Sequence, residues 1–209
     1  ILTWAEGQLI DSLSRLRLPK VYSLLLHNPK DLLGPEGNEL WAALKILKQK
    51  NLVDKIGYSI YRPEELDAIF DLFSPDIVQA PYNIFDRRLS LSGWLDKLFN
   101  AKTEIHIRSV FLQGLLLIKK NQRPKKFDRW LGIFENFDCW LKENNLSAMQ
   151  ASIAFAFQDP RINKVILGVD KLSQLEAIMV DLNIKINDFP EDFSIQDLNL
   201  IEPSRWDLL

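Results

Sequence analysis

The sequence contains a single cysteine, only two histidines and very little net charge. One cysteine, Cys139, excludes an intrachain disulfide framework and is typical of a reducing cytoplasm. The formal net charge of -2 gives no reason to expect a nucleic-acid partner. No apolar run approaches the ~20 residues that span a bilayer, so we expect no membrane association. No cysteines and histidines stand at zinc-ligand spacing, so we also expect no metal site.

The remaining composition is that of an ordinary globular protein. Of the 209 residues, 47% are hydrophobic and 26% are charged, which is enough for one sizeable core. We therefore expect residues 1–209 to form a single domain. The chain opens at Ile1 within a stretch that already has helical spacing. Because this does not resemble a natural start, we expect either a fragment or a further segment upstream.

Short apolar stretches alternate with amphipathic ones along the whole chain. The apolar stretches predict strands at 22–27, 55–59, 76–80, 104–109 and 164–168. Helices are predicted over 4–16, from a cap at Asn38, after Pro63, near 93–98, and over 127–143, 148–158 and 172–182. This alternation indicates a parallel sheet covered by helices. An open five-stranded sheet and part of a β/α barrel both satisfy the pattern.

Several predicted strands end in polar residues. The residues at the strand ends are His27 with Asn28, Ser59, Gln79 with Asn83 just beyond it, Arg108 with Ser109, and Gly168. Each has a structural explanation, since a histidine after an apolar run is commonly hydrogen-bonded within the fold, and Ser or Gln often satisfies loop backbone. In a β/α barrel, however, the active site lies at the carboxyl ends of the strands. Five consecutive strands that end in this way favour one shared site.

Five stretches resemble, in order and spacing, the successive strand-end motifs of aldo/keto reductases: LLLHNP, KIGYSIY, VQAPYNIFDRR, RSVFLQGLL and VILGVDKLSQLEAI. The resemblance extends over roughly the whole chain. It implies a TIM (β/α)8 barrel of the NAD(P)-linked oxidoreductase type, here lacking the first three β/α units. It also implies hydride transfer between a nicotinamide and a small carbonyl substrate such as an aldehyde, ketone or sugar.

The resemblance assigns one catalytic residue to this chain. Family members protonate the carbonyl oxygen from a tyrosine that is assisted by a lysine and an aspartate, and a histidine donates a hydrogen bond to the same oxygen. His27 matches that histidine. The other three residues belong to the first three units of the barrel. We therefore expect the chain by itself to be inactive.

More of the cofactor contacts can be carried over from the family. Ser59 and Gln79 match the residues that hold the nicotinamide carboxamide, although Ile60 replaces the usual asparagine. Arg108 stands where many members stack a tyrosine on the nicotinamide ring. The pyrophosphate is expected at the loop that contains Ser109, Leu112 and Gly114. Gly114 would let the backbone approach phosphate closely.

The last strand-end motif bears on the choice between NAD and NADP. Gly168 ends the strand, and Asp170 occupies a position where an arginine commonly binds the adenosine 2′-phosphate. A carboxylate repels phosphate and accepts hydrogen bonds from ribose hydroxyls, so we favour NAD, although the adjacent Lys171 is able to compensate. Gln174 matches a residue near the adenine, and Ile178 replaces a usual asparagine.

Two other functions remain open from the sequence. The first is a nicotinamide-nucleotide-binding module or accessory subunit without turnover, built on the same barrel. The second is an unrelated β/α-barrel lyase or isomerase, which would bind no nicotinamide nucleotide. Fold alone does not separate these functions, but the strand-end residues do.

Overall fold

A computed structural model describes residues 1–182 and 184–208. Its strands form one five-stranded parallel sheet in the order β1-β2-β3-β4-β5. Their bounds are β1 (Val21–Leu26), β2 (Val53–Ser59), β3 (Ile77–Pro81), β4 (Glu104–Arg108) and β5 (Lys164–Val165). The predicted α/β fold with a parallel sheet is therefore confirmed.

Helices fill the intervals between the strands. They are α1 (Leu2–Leu16), α2 (Gly37–Gln49), α3 (Glu65–Ile69), α4 (Arg88–Leu91), α5 (Trp94–Asn100), α6 (Leu131–Glu143), α7 (Ala148–Gln158), α8 (Leu172–Asp181) and α9 (Leu198–Ile201). Short 3-10 turns occupy Pro29–Leu33, Leu115–Leu117, Lys120–Gln122, Lys125–Trp130, Glu191–Phe193 and Pro203–Leu208. Among the described residues, no helix has both the length and the apolar character to cross a membrane.

Local sequence signals set some of these boundaries and miss others. Ser147 caps α7 as predicted, because its hydroxyl accepts the Gln150 N–H at 3.1 Å and the Gln150 side chain accepts the Ser147 N–H at 2.9 Å. The predicted cap at Asn38 is wrong, since α2 already begins at Gly37. At Gly37 the helix runs so close to Leu32 that a Cβ would lie 1.9 Å from that residue's backbone oxygen.

The first of two compact units comprises residues 1–80 and 94–105. In this unit α2 packs on β2 through aromatic rings. The Trp41 ring lies 6.1 Å from the Tyr58 ring and 6.0 Å from the Phe73 ring, measured between centroids. An ion pair between Lys48 and Asp76 joins the end of α2 to the start of β3 at 2.6 Å. This helix layer covers one face of β2.

The second unit comprises residues 81–93 together with the described residues from His106 onward. Its core is strongly aromatic. Phe85 lies 5.6 Å from Phe134 and 5.4 Å from Phe137, between ring centroids, and Phe193 packs against the same group. The Ile195 N–H donates to the Phe85 carbonyl at 2.8 Å, so the segment after α8 is fastened to this core.

The last β/α unit differs from its sequence pattern. The strand predicted over 164–168 is only two residues long, and one further backbone bond, from Ile166 N–H to the Ile107 carbonyl at 2.8 Å, extends its contact with β4. Within α8, the apolar residue Ile178 is buried, while its neighbour Met179 is 59% exposed. Gly168 consequently lies in a turn beyond the strand instead of at its last residue.

Candidate functional site

The three predicted site residues of the first unit lie on neighbouring strands. Leu26 of β1 stands opposite Tyr58 of β2, so His27 follows its strand at the level of Ser59. Ser59 in turn stands opposite Gln79 of β3. His27, Ser59 and Gln79 thus form a row across the carboxyl ends of three adjacent parallel strands, whose spacing is about 4.8 Å.

The face of the sheet on which Ser59 and Gln79 lie follows from the alternation of side chains along β2. Tyr58 packs against Trp41 of α2, so its neighbour Ser59 points to the opposite face of the sheet, together with its register partner Gln79. The Ser59 hydroxyl lies 3.5 Å from the Gln79 side-chain carbonyl oxygen. The Ile60 N–H donates to the Gln79 backbone carbonyl at 2.8 Å, and the Ile60 side chain is fully buried. The Ser59 hydroxyl and the Gln79 side-chain amide therefore lie on the same face of the sheet, opposite the face on which α2 packs.

The second unit contains a cavity of about 490 Å³, a volume typical of small-ligand sites. Its walls are the loop after β4 and the turn after β5. It is lined by all but one of the cofactor residues predicted from Arg108 onward: Arg108, Ser109, Gly114, Gly168, Asp170 and Gln174. Leu112 is the exception, because its side chain is fully buried in the aromatic core. The backbone of Leu112 is also engaged, because its N–H donates to the Ser109 carbonyl and its carbonyl accepts the Leu115 N–H.

The loop after β4 has an unusual backbone. Ser109, Leu112, Gln113 and Gly114 have φ angles of 61°, 46°, 53° and 84°, all in the left-handed region. The Leu112 N–H closes the loop by donating to the Ser109 carbonyl at 2.8 Å. This bond uses the first amide of the left-handed run, and the N–H groups of Gln113 and Gly114 that follow it suit an anion. Leu112 anchors this loop, since its side chain sits in the core.

Asn83 holds the loop in place, whereas the sequence identified it only as a polar residue beyond a strand end and gave it no role. Its side-chain N–H donates to the Ser109 carbonyl at 3.0 Å, and its oxygen accepts the N–H groups of Phe85 and Asp86, both at 2.9 Å. Asn83 is 1% exposed. The signal in the sequence was its position two residues after the end of β3. That position alone did not distinguish a supporting role from a loop asparagine.

A buried ion-pair cluster lies on the same segment. The Arg88 guanidinium contacts Asp86 at 2.8 Å and Glu202 at 3.0 Å, and all three side chains are buried. Burial raises the pKa of Asp86, against the opposing effect of Arg88. The cluster ties the segment after β3 to the chain after α9. It therefore supports the residues that hold the cavity loop.

The turn after β5 is fixed by Gln174. The side-chain oxygen of Gln174 accepts the N–H groups of Asp170 at 2.7 Å and Lys171 at 3.2 Å, and so caps the start of α8. Asp170 lines the cavity and is exposed. Gln174, which was predicted to lie near the adenine, therefore also stabilises the first turn of α8. Arg108 also lines the cavity, and its guanidinium donates to the Ser109 hydroxyl at 3.4 Å.

Within residues 1–182 and 184–208, no three His, Cys, Asp or Glu side chains come together as a metal-binding group. The single cysteine, Cys139, is free and exposed. The strand-end row of the first unit offers a hydroxyl and an amide, which suit an amide function of a ligand. The cavity of the second unit offers hydroxyl, amide, guanidinium, carboxylate and backbone N–H groups, of which the guanidinium and N–H groups suit a phosphate.

Comparison with known proteins agrees with this architecture. The aldo-keto reductase AKR11C1 from Bacillus halodurans, in its holo form, superposes with a TM-score of 0.67 at 18% identity, covering 88% of this chain and 62% of that one. The glycerol dehydrogenase AKR11B4 from Gluconobacter oxydans gives 0.61 at 17% identity, with 90% and 68% covered. A mutant of Gox0644 in complex with NADPH gives 0.62 at 19% identity, with 89% and 60% covered.

The chain thus spans between 60% and 68% of the length of these three structures. No curated protein sequence matches it. The model of the Aldo/keto reductase family matches residues 3–194, which is nearly the entire chain. This chain belongs to the aldo/keto reductase family.

Proposed function

We propose that the protein is an NAD(P)-dependent oxidoreductase that moves a hydride between a nicotinamide and the carbonyl carbon of a small aldehyde, ketone or sugar. The observation that carries this proposal is the cavity of about 490 Å³, because six residues predicted from sequence as cofactor contacts line it together. Membership of the aldo/keto reductase family supports an oxidoreductase. The complex of Gox0644 with NADPH supports a nicotinamide cofactor.

The chain corresponds, in this proposal, to the last five β/α units of an eight-unit barrel and forms one domain. Five parallel strands in sequential order support this assignment. The family match supports it too, since it runs without interruption through residues of both compact units. Activity, substrate and partners of the full-length protein are accordingly part of the proposal.

The loop after β4 is the proposed pyrophosphate site. Its left-handed residues Gln113 and Gly114 carry backbone N–H groups of the kind that bind anions, whereas the Leu112 N–H already donates to the Ser109 carbonyl. Gly114 leaves open space, since a Cβ built on it would meet no heavy atom within 4 Å. A phosphate oxygen is therefore able to approach the backbone there. Arg108 adds a positive charge at the start of the same loop.

Ser59 and Gln79 are the proposed holders of the nicotinamide carboxamide. An amide ligand needs one acceptor and one donor in its plane, and the hydroxyl and side-chain amide of this pair supply both. Held by these two side chains, the nicotinamide ring would keep one side toward the substrate. The nicotinamide itself supplies the hydride when bound.

His27 is the proposed catalytic residue of this chain. Negative charge builds on the carbonyl oxygen during hydride arrival, and an imidazole N–H aimed at that oxygen stabilises the charge. The tyrosine, lysine and aspartate that family members use for proton transfer have no counterpart among residues of this chain. We therefore propose that the chain by itself binds cofactor without turnover, and that the full-length protein is the active form.

NAD is the proposed cofactor in preference to NADP. The support is the carboxylate of Asp170, which lines the cavity beside Gln174 and would repel a 2′-phosphate. The proposed location is the cytoplasm, supported by the free thiol of Cys139.

Titration of the purified chain with NADH and NADPH, followed by fluorescence, tests the proposal. We expect saturable binding of NADH, and tighter binding of NADH than of NADPH. Gln79→Leu should weaken binding, because it removes the amide that faces the carboxamide. Gln122→Leu is the matched control on an exposed turn and should bind as the parent chain does. Failure of both nucleotides to bind would reject the proposal.

A further inference from the structure

The segments that follow β1 and β2 meet at an aromatic contact. The imidazole of His27 and the phenol ring of Tyr61 lie 6.2 Å apart between centroids, at an interplanar angle of 83°. This edge-to-face geometry is one of the favoured arrangements of aromatic pairs. His27 is exposed and Tyr61 is 40% exposed, so core packing does not dictate the contact.

Glu65 holds the backbone of Tyr61. One oxygen of its carboxylate accepts the Tyr61 N–H at 2.7 Å and the Arg62 N–H at 3.3 Å. Hydrogen bonds to a carboxylate are stronger than neutral ones. Glu65, the first residue of α3, therefore fixes the Tyr61 backbone.

The same carboxylate also reaches the segment that carries His27. The second oxygen of Glu65 lies 3.8 Å from the Lys30 ammonium, three residues after His27. The Asn28 side chain donates to Asp31 at 2.7 Å and stiffens the turn between them. Glu65 thus contacts both segments whose rings meet.

We propose that Tyr61, held by Glu65, is a positioning residue for the imidazole of His27. An exposed histidine otherwise samples several rotamers about its two side-chain torsions. The Tyr61 ring favours the rotamer in which the imidazole keeps its edge-to-face contact, and so limits the directions in which its N–H points. The inference rests on the proposed function, in which that N–H is aimed at the substrate carbonyl.

Histidine side-chain NMR of the purified chain tests the contact directly. The sequence has only two histidines, so the spectrum contains two sets of imidazole signals, and His27→Gln assigns them. His106 is 5% exposed within β4 and serves as an internal reference. We expect Tyr61→Leu to shift the His27 signals by removing the ring current, with those of His106 unmoved. Glu65→Ala should produce part of the same shift.

Two further variants separate positioning from a general effect of losing a tyrosine. Tyr61→Phe keeps the ring and should retain the NOE between the two rings. Tyr22→Leu is the matched control, because Tyr22 is 42% exposed and its hydroxyl donates to Glu104. His27 signals that stay unchanged in Tyr61→Leu, or that move equally in Tyr22→Leu, would overturn the inference.

Turnover by the full-length protein provides the second readout. We expect Tyr61→Leu to lower kcat about threefold to tenfold, the range that corresponds to an aromatic pair, with the KM for cofactor unchanged and Tyr61→Phe restoring the rate. A kcat that is unaffected while the NMR signals move would overturn the catalytic part of the inference. Absence of nucleotide binding would instead reject the proposed function, and the NMR result would still decide whether Tyr61 orients the ring.

Discussion

The side chain of Asn83 donates a 3.0 Å hydrogen bond to the backbone carbonyl of Ser109. This bond joins the turn after β3 to the left-handed loop after β4, within the second unit. The oxygen of the same amide caps two N–H groups of its own turn. Of the two donor and two acceptor positions of the buried Asn83 amide, three therefore bond the backbone that surrounds the cavity.

Asn83→Ala should destabilise the chain and weaken nucleotide binding together. The substitution leaves the buried N–H groups of Phe85 and Asp86 without their acceptor, and each such group costs about 1–3 kcal/mol. We expect the free energy of unfolding to fall by roughly 2–4 kcal/mol, measured with urea. Asn121→Ala, at an exposed position, should change neither quantity. Equal stability of the Asn83 variant and the parent chain would contradict a bracing role.

Gly114→Ala should weaken NADH binding and lower stability. At a φ of 84°, a side chain adds left-handed strain of roughly 1–2 kcal/mol, and the new methyl group occupies the space open to a phosphate. Gly132→Ala is the matched control, because Gly132 lies in α6 with open space around it and alanine favours helix. We expect the control to be at least as stable as the parent chain in urea unfolding. Unaltered binding by Gly114→Ala would remove the pyrophosphate from this loop.

The parallel sheet was predictable from sequence because buried strands and amphipathic helices differ in period. The approximate places of β1 to β4 followed from apolar runs alone. The last strand did not, since β5 retains only two residues of its predicted five. Apolar composition does not determine which backbone N–H and carbonyl groups form hydrogen bonds with the neighbouring strand. Beyond Val165, the bond from the Ile166 N–H to the Ile107 carbonyl continues the ladder.

The site was predictable to the extent that strand ends identify it. The family resemblance assigned Ser59 and Gln79 to the same nicotinamide carboxamide, and the two residues are register partners on β2 and β3. The sequence did not reveal the contact between His27 and Tyr61, which depends on how Glu65 folds the segment after β2. Contacts of this kind arise from loop geometry that has no periodic signal in the sequence.

Tyr82 should make the chain less stable in strong alkali. Burial, with a smaller contribution from Asp159, raises the pKa of Tyr82 to about 12. Because the folded-state pKa lies above the unfolded value of 10.0, the unfolded chain loses its proton first as pH rises. Stability should therefore decline between about pH 10 and 12, and be unaffected by this group below that range. Urea unfolding at pH 8 and pH 11 should show a smaller decline in Tyr82→Phe than in the parent chain.

Asp170→Asn should shift the cofactor preference toward NADPH. The substitution removes a negative charge from the cavity wall, and the shape of the side chain and the cap formed by Gln174 on the Asp170 N–H are retained. Removing this repulsion should tighten NADPH binding about fivefold to tenfold, equivalent to roughly 1–1.4 kcal/mol, and leave NADH binding within about twofold. The effect should shrink in high salt, since Asp170 is exposed. Asp128→Asn, on an exposed turn, is the charge-matched control. An identical ratio of NADH and NADPH dissociation constants in the two variants would place the 2′-position of the adenosine away from Asp170.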